Sequence, residues 1–244
     1  MILNHKIHVL GRKEEIDTVR LPGKIAIVLD ILFATSTIAT ALAHGARAVT
    51  PALDETAARA EGARHPPDSV VLAGELYAET LPGFAPPMPQ ALLAHGIAGK
   101  HVVYSTTNGT VAVMTMSGAE QVYAAALLNG RAVIEHVLDA HPDRTILIVC
   151  AGSMGNFNFE DFYGAGYLVE LIAQRLGEQA DFSDAARAAR LLFRARDPLP
   201  SLLDCRVGRM MVERGFEREV EHAAQLSVLS VVPRLEGGRI VAIG

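Results

Sequence analysis

Short runs of apolar, β-favouring residues alternate with alanine-rich stretches of helical length through the first 151 residues of the chain. The runs cover residues 25–30, 47–52, 69–74, 101–105, 121–126 and 145–151, and predicted helices cover 35–45, 54–62, 108–117 and 130–140. Because the runs are apolar at consecutive positions, both faces of each strand must be covered. The alternation therefore predicts an α/β fold whose mostly parallel sheet carries helices on both sides.

The pattern changes after residue 160, where helical stretches follow one another. They cover 161–176, 183–195, 201–215 and 218–226, and the segment 227–243 is expected to form two final strands. We expect one domain spanning residues 1–244, with a possible subdomain change near 160–180. The loop at 75–90 holds four prolines, and a connection of that length is often functional.

Charge and composition exclude several classes of protein. A net charge of -5 gives no sign of nucleic-acid binding, and no apolar run approaches the roughly 20 residues that a membrane span needs. The two cysteines, Cys150 and Cys205, form no metal or disulfide pattern. We expect a cytoplasmic protein that binds a small anionic molecule. The alanine-rich helices could pack against a second copy, which leaves a homodimer open.

Polar residues follow three of the predicted strands directly. Asp30 ends one strand, Glu75 follows another, and the segment 106–109 follows a third. The carboxyl ends of parallel strands meet in the crevice where open α/β sheets bind ligands. We therefore expect these three features to line one cavity.

The segment Thr106, Thr107, Asn108 and Gly109 is suited to an anion. Asn108 or Thr107 can cap the following helix, whose first N–H groups then face the cavity. Gly109 allows a close approach of the backbone, and the threonine hydroxyls add donors. An ordinary capped turn explains the same residues equally well.

Asp30 and Glu75 can supply carboxylate oxygens to the cavity. Mg²⁺ takes oxygen ligands and commonly uses one or two carboxylates together with substrate oxygens. The pair is thus a candidate magnesium site. The competing interpretation makes Asp30 a structural cap of the helix at 35–45 and Glu75 a solvated loop residue.

Two predicted helix starts carry further candidates. Thr35 and Ser36 begin one helix, and Glu160 and Asp161 begin another. Acidic residues at a helix start complement its dipole, so a structural role competes with a role as metal ligand or general acid–base group. The hydroxyls can likewise serve only as caps.

Five segments together resemble the 2-phosphosulfolactate phosphatase (ComB-like) family. They read IVLDILFATSTIATALAHGA, VLAGE, STTNGTVAV, ALLNGRAVIEHV and IVCAGSMGNFNFEDFYGAGYLV. Their order and spacing match the family from about residue 24 to residue 232. The TTNGT and CAG…ED…GAG elements are specific in combination.

The resemblance implies a three-layer α/β/α fold with a mostly parallel, mixed sheet. It also implies a Mg²⁺-dependent phosphatase acting on a small, highly anionic phosphate monoester. Asp30, Glu75 and Asp161 become candidate metal ligands, and Asp30, Asp161 and Glu160 candidate catalytic groups. The implied residues for substrate or anion binding are Thr35, Ser36, Thr106, Thr107, Asn108, Gly109 and Asn129.

The chain departs from the family pattern at two arginine positions. Phe33 and Leu76 stand where the family has arginine. A guanidinium binds phosphate or sulfonate in bidentate fashion, and neither replacement can. We expect a substrate end that is less charged and more apolar than that of phosphosulfolactate.

Three functions stay open from the sequence. The leading one is a metal-dependent hydrolase of a small phosphate ester. A carboxylate-held metal beside an oxyanion-binding turn could instead stabilise an enolate, which would give a lyase, isomerase or C–C hydrolase of a small carboxylic acid. The third is a catalytically inactive binding homologue, against which the retained Asp30, Glu75, Asn108 and Asp161 argue.

Overall fold

The strands form one mixed sheet of eleven within residues 5–243, the part of the chain that the computed structural model describes. They are β1 (His5–Leu10), β2 (Lys24–Leu29), β3 (Ala48–Ala52), β4 (Val70–Leu76), β5 (Glu79–Thr80), β6 (His101–Ser105), β7 (Gln121–Ala125), β8 (Thr145–Cys150), β9 (Ala180–Phe182), β10 (Val232–Glu236) and β11 (Arg239–Ile243). Their order across the sheet is β5-β4-β6-β3-β11-β10-β7-β2-β8-β1-β9.

The sheet consists of two parallel blocks joined by the C-terminal hairpin. Strands β4, β6 and β3 are parallel to one another, as are β7, β2, β8, β1 and β9. The hairpin β10–β11 lies between the blocks and is antiparallel to both neighbours. These pairings confirm the predicted mostly parallel, mixed sheet and the two final strands.

The two blocks run in opposite directions along the ladder, because three antiparallel pairings separate β3 from β7. The carboxyl ends of the two blocks therefore lie at opposite edges of the ladder. In a flat sheet, β6 and β2 would be about 24 Å apart, because five steps of about 4.8 Å separate them. A Cβ atom on Gly109 would nevertheless collide with Asp30 Oδ2, so the sheet curves and brings the ends of both blocks to a common cavity.

Helices cover both faces of the sheet. They are α1 (Ala34–Ala43), α2 (Glu55–Gly62), α3 (Pro89–Leu93), α4 (Gly109–Thr115), α5 (Gly130–Ala140), α6 (Phe159–Leu176), α7 (Asp184–Ala195), α8 (Pro198–Asp204), α9 (Arg206–Glu213) and α10 (Glu217–Ala223). The predicted helix at 201–215 is wrong as one element, because the chain turns extended at Cys205 between α8 and α9. Strands β1 and β9 were not anticipated by the sequence pattern.

The side chains of strand β2 belong to two hydrophobic layers, one on each face of the sheet. Ile25, Ile27 and Leu29 pack with helices α5 to α10, whereas Ala26 and Val28 pack with α1, α3 and α4 on the other face. Side chains alternate between the faces of a strand, so a continuously apolar strand must be covered twice. This arrangement confirms the three-layer α/β/α fold.

No helix within residues 5–243 combines the length and the apolar character needed to cross a bilayer.

Helix α6 packs directly against the backbone of α7 at Gly166, which has no side chain. A Cβ atom on Gly166 would collide with the backbone carbonyl of Ala189 in α7. A Cβ atom on Gly164 would instead meet the end of the Ile31 side chain. The first obstacle is fixed backbone, whereas the second can rotate away.

We expect Gly166→Ala to destabilise the protein by about 1–3 kcal/mol. Alanine favours a helix over glycine by about 1 kcal/mol. A net loss of stability in Gly166→Ala would therefore be due to the collision, because the change in helix propensity acts in the opposite direction. Gly164→Ala is the matched control and should cost less. Urea unfolding followed by circular dichroism measures both, and a Gly166→Ala protein as stable as wild type would contradict the close α6–α7 contact.

Candidate active site

Strand ends from both blocks enclose a cavity of about 130 Å³. Its walls are formed by Asp30, Phe33, Glu75, Tyr77, Ala78, Thr107, Asn108, Gly152, Ser153, Met154, Asn158, Glu160, Arg206, Val207 and Met210. Asp30 follows β2 in one block, whereas Glu75 and Thr107 belong to β4 and the end of β6 in the other. The structure therefore brings together Asp30, Glu75, Glu160, Thr107 and Asn108.

Asp30 is held in a tight turn between β2 and α1. Its backbone N–H donates to Thr35 Oγ1 at 2.9 Å, and the same hydroxyl donates to the Asp30 carbonyl at 3.0 Å. Ser36 Oγ donates to the Ile31 carbonyl at 2.5 Å. Both hydroxyls are buried and lie outside the described lining of the cavity. Thr35 and Ser36 thus fix the backbone that presents Asp30.

Gly109 allows the start of α4 to approach Asp30. A Cβ atom at this position would collide with Asp30 Oδ2 and with the side chain of Ala34. The glycine identified in the sequence is therefore required by close packing against the carboxylate itself, at an ordinary backbone conformation.

The hydrogen-bonding roles of Asn108 and Thr106 differ from those predicted from the sequence. Asn108 does not cap α4; its Oδ1 accepts from Lys13 Nζ at 2.9 Å and from the Met154 N–H at 3.2 Å. The helix donor is satisfied by Thr106, whose Oγ1 accepts from the Thr110 N–H at 3.1 Å. Thr106 is buried beneath the cavity, and Asn108 lines it.

Glu75 connects a strained hairpin to the segment after β6. Its Oε1 accepts from the Thr107 N–H at 2.6 Å, and its Oε2 accepts from the Ala78 N–H at 2.6 Å and from Thr107 Oγ1 at 3.1 Å. Tyr77 and Ala78 form the two-residue turn between β4 and β5, with φ of 54° and 63°. Such turns favour Asn-Gly, so these residues store about 1–3 kcal/mol each.

Asp161 bridges the ends of β2 and β8. Its Oδ1 accepts from the Ile31 N–H at 2.9 Å, and its Oδ2 accepts from the Gly152 N–H at 3.1 Å. The side chain is 1% exposed and is outside the described cavity lining. Asp161 therefore lies behind the cavity, where it positions the two segments that form the wall.

Asn129 is likewise bonded to backbone. Its Oδ1 accepts from the Ala126 N–H at 2.8 Å, and its Nδ2 donates to the Val231 carbonyl at 3.2 Å. It is fully buried, and the described residues of the cavity wall do not include it. The contacts tie the end of β7 to the segment before β10.

Negative charge is concentrated around the cavity. Burial, together with the charges of Glu75 and Glu160, raises the pKa of Asp30 to about 7, although the N–H of Ala34 acts in the opposite direction. Burial also raises the pKa of Glu160. The pKa of Asp161 is raised well above its usual range by burial and by the charges of Asp30 and Glu160.

Two cations near these carboxylates were missed by the sequence interpretation. Arg206, the first residue of α9, lines the cavity and donates from Nη2 to Asn158 Oδ1 at 3.4 Å. Lys13 holds Asn108 and lowers the pKa of Asp30. Neither residue follows a predicted strand, so the rule that identified the other candidates could not find them. The break at Cys205 would have been the one local signal for Arg206.

The donor set of the cavity fits Mg²⁺. Among residues 5–243 no group of three or more His, Cys, Asp or Glu side chains is already gathered as a metal site. Mg²⁺ nevertheless needs only one or two carboxylates, because it keeps several waters and binds substrate oxygens. Asp30, Glu75 and Glu160 face one cavity, and the pKa of Asp30 is raised first by burial and then by the charges of the other two carboxylates. A divalent cation would offset these charges.

We expect Asp161→Asn to destabilise the protein by about 1–3 kcal/mol, because the amide NH₂ would face a backbone N–H that now has an acceptor. Unfolding should be measured in EDTA, which separates this effect from metal binding. Asp181→Asn, at an exposed aspartate, is the control. Unchanged stability in EDTA would show that Asp161 does not hold the Ile31 and Gly152 segments.

We expect Asp30→Asn to raise the melting temperature in EDTA at pH 8 by about 2–4 °C or more. The folded protein keeps a proton on Asp30 up to about pH 7, whereas the ordinary pKa is 3.8. Wild-type stability therefore falls as pH rises between these values, and asparagine removes that loss. The gain should shrink toward pH 5, and exposed Asp143→Asn should show none. A gain that is equal at both pH values would contradict the buried charge.

Comparison with known proteins identifies a family. The family model described as 2-phosphosulpholactate phosphatase matches residues 11–238. Three similar proteins carry the name probable 2-phosphosulfolactate phosphatase. The one from Deinococcus radiodurans is 36% identical over 90% of this chain and 91% of its own length. The one from Symbiobacterium thermophilum is 34% identical over 91% of this chain and 96% of its own length. The one from Clostridium perfringens is 30% identical over 98% of this chain and 96% of its own length. The chain belongs to the 2-phosphosulpholactate phosphatase family.

Proposed function

We propose that this protein is a Mg²⁺-dependent phosphatase that hydrolyses a small anionic phosphate monoester of the 2-phosphosulfolactate type. Water attacks the phosphorus atom, the P–O bond to the organic group breaks, and an alcohol and inorganic phosphate leave. The supporting observation is the convergence of Asp30, Glu75 and Glu160 with Thr107, Asn108 and Arg206 on one cavity in a chain of this family.

Arg206 supplies the cationic contact for the substrate. Its guanidinium lines the cavity, and no carboxylate within residues 5–243 forms an ion pair with it. A guanidinium can donate two parallel hydrogen bonds to a phosphate or carboxylate group. Asn108, fixed by Lys13, offers its amide N–H₂ on the same wall.

Asp30 and Glu75 would hold the Mg²⁺, and Glu160 would face it. When bound, the ion polarises a phosphoryl oxygen and can lower the pKa of a water molecule. Asp30 is suited to this role because it is buried beside two other carboxylates. Asp161 contributes by position, since its two oxygens hold the backbone N–H of Ile31, next to Asp30, and the backbone N–H of Gly152.

Glu160 is the best-placed group for proton transfer. It is 2% exposed, it lines the cavity, and its raised pKa increases the fraction that carries a proton near neutrality. A carboxylic acid of this kind can protonate the oxygen of the departing alcohol. Arg206 acts in the opposite direction on the same pKa, so the occupancy of Arg206 by substrate would favour the protonated form.

No specific observation favours the lyase, isomerase or C–C hydrolase alternative or the inactive homologue. The relatives compared are named as phosphatases. A cytoplasmic location and a homodimeric assembly remain predictions from the sequence.

We expect purified protein to release inorganic phosphate from 2-phosphosulfolactate or 2-phospholactate with Mg²⁺ and to lose that activity in EDTA. Asp30→Asn should lower kcat by at least about 10²-fold. Arg206→Ala should raise KM by roughly 10- to 100-fold, which corresponds to the loss of a charged hydrogen bond. Release of phosphate is followed colorimetrically.

Arg209→Ala is the matched control, because Arg209 is exposed on the same helix and pairs with Asp204. It should keep wild-type kinetics. Absence of phosphate release from every ester tested would overturn the proposed activity. Full activity in EDTA would overturn the metal requirement alone.

A further inference from the structure

A second, larger cavity lies beside the first and shares part of its wall. Its volume is about 300 Å³, and its walls are Phe33, Ala78, Glu79, Thr80, Pro87, Met88, Met210, Met211, Arg214 and Phe216. Phe33, Ala78 and Met210 line both cavities. These three residues, which we call the neck, therefore lie between the two cavities. We refer to the second one as the side cavity.

Seven of the ten residues that line the side cavity are apolar, and the other three are Glu79, Thr80 and Arg214. Three methionines, two phenylalanines and a proline contribute to its walls, and thioether side chains adapt to varied apolar shapes. Among its described lining residues the one cation is Arg214, whose Nη1 lies 3.1 Å from Glu79 Oε1 and donates to the Ala78 carbonyl at 2.8 Å. A sulfonate entering this space would therefore meet a cation that is already paired.

Hydrogen bonds between buried groups fix one wall of the side cavity. Thr37 Oγ1 lies 2.7 Å from the Phe33 carbonyl oxygen and 2.8 Å from the Pro87 carbonyl oxygen, and the two acceptors share its one proton. Tyr104 Oη donates to the same Pro87 carbonyl at 2.5 Å. Both donors are buried. These bonds lock the start of α1 to the loop before α3, so that the neck and one wall keep their shape.

We propose that the side cavity binds an apolar side chain of the substrate, so that the preferred ester is a phosphorylated 2-hydroxy acid with an apolar end instead of a sulfonate. This inference rests on the proposed phosphatase function. The phosphoryl and carboxylate groups occupy the first cavity, and the side chain passes between Phe33 and Met210. The space suffices for a phenyl group, since a cavity of about 150 Å³ accommodates benzene.

The test uses two measurements on the full chain. Isothermal titration calorimetry in the presence of Mg²⁺ measures the affinity for unreactive phosphonomethyl analogues of lactate, 2-hydroxyhexanoate, 3-phenyllactate and 3-sulfolactate. Phosphate release measures kcat/KM for the corresponding phosphate esters. Affinity should rise about fourfold for each methylene added until the cavity is filled. The phenyllactate analogue should bind at least about tenfold more tightly than the sulfolactate analogue.

Thr80→Trp should fill the side cavity from its exposed rim and remove the preference for long side chains. Thr18→Trp, at an exposed threonine away from both cavities, is the matched control and should keep the wild-type preference. Circular dichroism and the melting temperature establish that each variant is folded. If Thr80→Trp fails to fold, the wild-type series of analogues still decides.

The outcomes separate the inference from the proposed function. Affinity that is independent of chain length, or highest for the sulfolactate analogue, overturns the inference even if phosphate is released. Affinity that rises with chain length supports it. If that rise is seen without phosphate release from any ester, the side cavity is a binding site but the proposed phosphatase activity is wrong.

Discussion

The buried charge of Asp30 is the constraint around which the rest of the site is arranged. Burial beside Glu75 and Glu160 raises its pKa to about 7. The ionised carboxylate is therefore unfavourable in this position, and the surrounding fold holds it there. Thr35 fixes the turn that carries it, and Gly109 leaves room for its oxygen. A group that costs this much free energy to bury ionised is a group whose surroundings are selected for function, since proteins tolerate such costs mainly at functional sites.

The C-terminal hairpin decides how distant parts of the chain reach Asp30. It joins the two parallel blocks through antiparallel pairings on both sides, so that Glu75 and Asp30 come from strands that run oppositely along the ladder. The ends of these strands nevertheless meet at one cavity. Strands β2, β4 and β6 precede the hairpin by more than a hundred residues. The cavity can therefore be completed only after the last strands have formed, which makes the site depend on the most non-local pairings in the fold.

Sequence patterns predicted the parallel strands other than β1 and β9, most helices and the residues at strand ends, because those depend on local alternation. Asp30, Glu75 and Thr107 were found by one rule, that polar residues after apolar strands meet in a crevice. The rule cannot tell which way a side chain turns. Asp161 stands at a helix start as expected, yet both its oxygens hold backbone N–H groups. Arg206 reaches the cavity from a helix that no strand introduces, so only the packing of α9 against α8 and α10 reveals it.

Charge balance links the metal to the substrate. Asp30, Glu75 and Glu160 face Arg206 across the cavity, and a phosphorylated hydroxy acid would add two or three further negative charges. Protonation of Asp30 removes one charge from this total at neutral pH, whereas a divalent cation compensates two. Binding of the cation would favour the ionised form of Asp30, and the ionised site would in turn hold the cation more tightly. Substrate and cation must therefore strengthen each other's binding by the same factor, as linkage requires. The burial and the neighbouring charges that together raise the pKa of Asp30 are then the source of that coupling.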